Sequence, residues 1–109
     1  MAQFDVHRNK GALRESIPFV VLVQSAQFDR YRRRMVVPLV RRSALPGNTP
    51  TAGSRMNPTL QVEGVDVVLH PLDMVSVALN QLGEPVGSLA DQGQVIADAL
   101  DELLTRSWG

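Results

Sequence analysis

From Asp91 onward the chain carries its strongest helical pattern, Asp-Gln-Gly-Gln-Val-Ile-Ala-Asp-Ala-Leu-Asp-Glu-Leu-Leu-Thr-Arg. Val95, Ile96, Ala99, Leu100, Leu103 and Leu104 recur at a spacing of four and line one apolar stripe on a helix of about residues 91–106. Almost everything before it reads as short extended runs punctuated by turn residues. A single amphipathic helix has to bury its stripe on another layer, and here that layer is a sheet. The pattern therefore restricts the fold to mainly β: a small, strongly bent sheet or barrel with a C-terminal helix. Asp91 is placed to cap the helix, and Arg106 sits favourably in its last turn. Burying each larger stripe residue contributes roughly 1.5–3 kcal/mol, and ordering each helical residue costs about 1–2 kcal/mol. The two nearly cancel, so the helix is stable only when docked.

The 109 residues suit one domain, 1–109, with a modest core. Net charge is zero, which argues against a general nucleic-acid binder. The absence of Cys removes disulfides and thiolate chemistry, and two His offer little to a structural zinc. The start, Met-Ala-Gln-Phe-Asp-Val, lacks the basic and apolar regions of a signal peptide. The longest apolar run, Ile17 to Val23, is too short to cross a bilayer. The expectation is a cytoplasmic protein with no membrane partner.

Gln3 to His7 alternates polar and apolar residues, as a half-buried strand does. Phe19 to Val23 is continuously apolar and β-branched, which predicts a strand covered on both faces, the second by another copy of the chain. Met35 to Val40 is a third strand, in which Pro38 predicts an edge or a bulge. Arg41 to Asn57, with Pro46, Gly47, Pro50 and Gly53, reads as a long mobile loop. Thr59–Val62 and Val65–Leu69 flank Glu63-Gly64, a hairpin pattern. A short helical turn over Leu72 to Val75, extended chain to Leu82 and a turn at Gly83-Glu84-Pro85 lead towards the helix.

Catalytic residues do not assemble. His7 and His70 have no nucleophile at a useful spacing, and Gly83, Gly87 and Gly93 make no phosphate loop. No cofactor is implied, and the expectation is a protein that is not an enzyme. The densest charge is Arg30-Tyr31-Arg32-Arg33-Arg34, echoed by Arg41-Arg42. It is a solvated turn on one reading, and on another a basic patch for phosphate or an acidic protein. Trp108, the single Trp, continues the row Ile96, Leu100, Leu104. It either caps the core or is presented to a partner, where a buried Trp commonly anchors recognition.

Across most of its length the chain resembles the CcdB family, plasmid-type toxins that poison DNA gyrase. The resemblance runs through Met1-Ala2-Gln3-Phe4-Asp5-Val6, Val23-Gln24-Ser25 and Arg33-Arg34-Met35-Val36-Val37-Pro38-Leu39. It resumes at Asp73-Met74-Val75-Ser76-Val77 and Leu82-Gly83-Glu84-Pro85-Val86, and closes on the final helix and Trp108-Gly109. It implies a small SH3-like barrel of the CcdB/MazF type with a C-terminal helix, forming a homodimer. It implies a toxin that enters the dimerisation region of the DNA gyrase A protein and traps the enzyme on cleaved DNA. It also implies a cognate CcdA-like antitoxin, with operator DNA bound only through the antitoxin complex.

In the family the terminal Trp and Gly contact gyrase, which corresponds to Trp108 and Gly109. The segment after the second strand contributes too, which corresponds to Ser25, Gln27 and Phe28; Ser25 alone matches in identity. The better-known toxins carry one more apolar residue after Trp-Gly, and an aromatic where this chain has Ser107. Leu104 replaces a polar position and the loop from Arg41 is remodelled. Those departures imply a weaker toxin, or one tuned to another gyrase. Two alternatives share the fold: an endoribonuclease with Arg33 or Arg34 on phosphate, and a non-toxic relative that only binds antitoxin.

Overall fold

A computed structural model describes residues 2–11, 13–45 and 53–106, with the last two as backbone alone. Among the described residues seven strands form one antiparallel sheet: β1 Asp5–Asn9, β2 Phe19–Leu22, β3 Arg33–Arg41, β4 Thr59–Val62, β5 Val65–Leu69, β6 Val75–Ala78 and β7 Leu82–Ser88. Their order is β4-β5-β3-β2-β1-β7, with β6 also on β3. The α-helix α1, Gly93–Asp101, follows. The sheet curls into a half-barrel, as the terminal stripe and short strands predict.

β3 is the spine. Its Leu39, Pro38, Val37 and Val36 pair with Phe19 to Leu22 of β2. On its other side β5 takes the C-terminal end from Leu39 and β6 the N-terminal end up to Val36. Pro38 is therefore on a central strand, not an edge. The Pro38 carbonyl accepts from the His70 amide at 3.1 Å. N and C=O of one strand residue point the same way, so the donor-less nitrogen faces the gap where β5 has ended and β6 has not begun. That gap is what lets proline sit mid-sheet.

Alternation divides the apolar residues between two faces. Val6, Phe19, Val21, Val37, Leu39, Leu60, Val62, Val67 and Leu69 fill the concave side, closed by Leu89, Ile96 and Ala99. On the convex side Leu22, Val36 and Val68 are also buried. Val20, Val36, Pro38, Val75 and Leu82 there line an open apolar cavity of about 360 Å³. Phe19–Leu22 is thus covered on one face and only partly on the other.

The β4–β5 hairpin turns on Glu63 and Gly64, both at positive φ (51° and 77°), a two-residue turn whose twist matches its strands. Arg8 of β1 donates to Glu63 at 3.0 Å and to Glu84 of β7 at 2.7 Å. One side chain thereby links the hairpin tip at one end of the strand order to the strand at the other, a measure of how far the sheet curls. The same guanidinium lies 5.8 Å from the Phe19 ring centroid, and its pKa is raised, chiefly by the bond to Glu84.

Several expected details move. Phe4 belongs to a turn before β1, at φ 72°, held by its amide on the Leu22 carbonyl at 2.7 Å. Gly83-Glu84-Pro85 is strand, not turn. Two register shifts against β1 absorb it, and Gly83 comes so close to Arg8 that a Cβ would lie 2.4 Å from the Arg8 carbonyl oxygen. Pro85 is tolerated because β7 ends the sheet. The helical turn falls at Pro71–Asp73, and a second at Leu79–Gln81 interrupts the extended chain.

Asp91 does not cap α1. It lies in a 3-10 turn, Ala90–Gln92, whose first amide is taken by Ser88 Oγ at 3.1 Å. Of the loop from Arg41 to Asn57, residues 46–52 lie outside the described residues. Asn57 is buried and donates to the Leu69 carbonyl at 3.0 Å.

Candidate functional site

The connection between β2 and β3 carries the candidate residues. Ser25 opens a 3-10 turn, Ala26–Phe28, without a side-chain cap. Its carbonyl accepts from the Phe28 amide at 3.1 Å, and Ala26 and Phe28 carbonyls accept from Asp29 and Tyr31. Three successive tight turns hold the segment away from the sheet. Ser25, Gln27 and Phe28 are thus brought onto one short element, with Gln27 exposed and Phe28 half-buried.

Arg34 anchors this connection from below. Its side chain is wholly buried, paired with Asp29, and it donates to the Ser25 and Gln24 carbonyls at 3.1 and 3.3 Å. Gln24 Oε1 in turn accepts the Met35 amide at 3.0 Å. A buried guanidinium with its donors satisfied is a strut. Arg34 is therefore withdrawn from any phosphate, which corrects its place in the ribonuclease alternative. Arg33 points outward and is held by Ser76, through Oγ at 2.9 Å and the carbonyl at 2.6 Å.

The Phe28 and Tyr31 rings lie 6.0 Å apart between centroids, with their planes tilted by 36°. With Arg32, Arg33, Met35 and Ser76 they line a cavity of about 430 Å³. Along the chain Tyr31 and Arg32 look like parts of a charge run; the alternation of Arg with an aromatic is the signal that they share a site.

The helix arrives by a different route. After α1 the chain winds as a π-helix over Glu102–Arg106. Ile96 and Ala99 are fully buried and Leu100 packs on the core, but Val95 is 38 % and Leu104 64 % exposed. Leu104 therefore lies off the row that Ile96 and Leu100 begin, because a π turn takes more residues per turn than an α turn and so rotates its side chains out of line. Arg55 meets Glu102 at 3.3 Å and Asp98 at 4.0 Å. Trp108 and Gly109 lie outside the described residues, as does the Arg106 side chain.

His7 is buried, with Nδ1 3.0 Å from the Gly83 carbonyl, and Nε2 of both His7 and His70 is buried without a partner. Among the described residues no group of three metal-ligating side chains occurs, and no helix is long and apolar enough to cross a membrane.

Two solved structures share this architecture. Mycobacterium tuberculosis toxin MazF-mt6 superposes with a TM-score of 0.67 at 14 % identity, covering 90 % of this chain and 93 % of that one. An endoribonuclease in complex with its cognate antitoxin, from Mycobacterial species, gives 0.73 at 12 % identity, covering 100 % and 99 %. At such identities the likeness is one of fold. No curated protein matches the sequence. The CcdB protein family does match, over residues 3–106, and a match across nearly the whole chain makes this protein a member of the CcdB family of toxins.

Proposed function

We propose that this CcdB-family toxin acts by binding, without catalysis, on the DNA gyrase A protein, and holds gyrase on cleaved DNA. The family match over residues 3–106 carries the reading. The placement of Ser25, Gln27 and Phe28 on one short turn, with Gln27 exposed and Ser25 and Phe28 half-buried, supports it, since a contact surface needs such residues on one element. Trp108 and Gly109 supply the other part. The Trp108 ring stacks against the target, on a cationic side chain, and its truncation removes an anchor of the size that typically costs about 2 kcal/mol or more.

Two further partners belong to this proposal. One is a cognate antitoxin, as one structural relative is described with its own, with operator DNA bound through that complex. The other is a second copy of the chain, seated on the open apolar face around Val20, Val36, Pro38 and Val75.

The test is plasmid cleavage by purified gyrase with the toxin added. Linear DNA accumulates with the intact chain and not with Trp108→Ala, whose thermal melt stays nearly unchanged. If the intact chain yields no linear DNA, gyrase poisoning is wrong. If Trp108→Ala melts far lower, Trp108 is a core residue instead. The endoribonuclease reading draws on the fold shared with an endoribonuclease. Cleavage of RNA by the same preparation, lost in Arg33→Ala, would establish it in place of the first.

A further inference from the structure

We propose that the cavity between the β2–β3 connection and β6 binds single-stranded nucleic acid, one base entering against Tyr31 and the flanking phosphates meeting Arg32 and Arg33. The inference goes beyond the gyrase reading and does not rest on it.

Tyr31 is 61 % exposed although it lines a cavity of about 430 Å³. Phe28 meets it tilted by 36° at 6.0 Å, so the two rings do not cover one another's faces. A half-open aromatic ring in a concave site is a stacking platform, and every base has a face to lay on it. Cations stand on both sides of the ring in the sequence. The Arg32 carbonyl accepts from the Leu79 amide at 2.9 Å, but among the described residues the side chains of Arg30 and Arg32 form no hydrogen bond or ion pair, and both residues are exposed. Arg33 is pinned by Ser76 and keeps its remaining N–H groups for an acceptor. Asp29, the nearest carboxylate in sequence, is paired with buried Arg34, so it does not oppose an incoming phosphate.

Cation, ring and cation in succession match a polymer that alternates charge with aromatic units. An acidic peptide would use the cations but has no need of a free ring face. The neutral net charge of the chain makes the attraction local. Binding then involves about two or three phosphates, and its salt dependence has a slope near −0.7 per phosphate for a single strand.

The experiment is fluorescence anisotropy of labelled oligo(dT) and oligo(U) with the intact chain, beside the matching duplex and an acidic peptide of equal length. Either single strand binds. Tyr31→Ala weakens it about tenfold, as loss of one stacked base does, and Tyr31→Phe retains it. Arg32→Ala lowers the salt slope by about 0.7. Arg14→Ala, elsewhere on the surface, changes nothing. Circular dichroism confirms that the variants are folded, as the exposure of Tyr31 and Arg32 leads one to expect. The proposal is overturned if neither strand binds, if Tyr31→Ala binds as well as the parent, if the duplex binds as tightly, or if only the acidic peptide binds.

Discussion

Arg34 shows how one residue can be read two ways from sequence and one way from structure. In the run Arg30 to Arg34 it looks like its neighbours, yet it alone faces inward and is fully buried. Its guanidinium ties two carbonyls and Asp29 into a single node beneath the candidate turn. Arg34→Ala should cost about 3 kcal/mol, because buried acceptors lose a charged donor, and urea denaturation measures it. Arg34→Lys should not restore the loss, since one ammonium cannot span the same fork of acceptors. Gly83 offers a second test at this scale. A Cβ there would press on the Arg8 carbonyl, whereas one at Gly87 meets nothing within 4 Å. Gly83→Ala should destabilise by roughly 1–3 kcal/mol. Gly87→Ala should be neutral or stabilise by about 0.4–1 kcal/mol through the unfolded chain. Thermal melts of the pair separate the two cases by sign.

The C-terminal helix is the element on which sequence and structure agree first and then part. Its stripe predicts docking, and Ile96 and Ala99 dock completely. The same stripe predicts that Leu104 docks too, and it does not, because the helix changes from α to π winding at Glu102. Periodicity assumes a constant turn, so no sequence pattern could have announced that change. Ile96→Ala should cost about 2–5 kcal/mol, the range for emptying a packed aliphatic site. Leu104→Ala should stay within about 0.5 kcal/mol of the parent, as exposed positions do. Chemical denaturation of both variants checks the contrast, and a large loss for Leu104→Ala would return it to the core.

The whole molecule is a curled sheet with one face filled and the other part-filled. The filled face receives the helix, and Arg8 spans Glu63 and Glu84 across the curl. The other leaves Leu13 and Val75 exposed at 63 and 47 % around an apolar cavity. Contiguous apolar surface of this kind marks an interaction site, and a second copy is its proposed occupant. In the proposed dimer, Val75→Glu should return the chain to monomer with its melt little altered, and sedimentation velocity reads the outcome. A dimer that persists in Val75→Glu would place the interface elsewhere.

What the sequence determined by itself is whatever depends on neighbours along the chain. The strand alternation, the Glu63-Gly64 turn and the helical stripe are local, and together they specify a mainly β fold with one docked helix. The family likeness added which residues to watch, Ser25, Gln27 and Phe28 among them. What tertiary structure alone decided depends on strands far apart in sequence. Pro38 is acceptable because β5 stops before β6 starts. Gly83 is needed because β7 crosses Arg8. Arg34 is separated from Arg33 because strand pleating sends successive side chains to opposite faces, and only the pairing of β3 with its neighbours settles which face is inside.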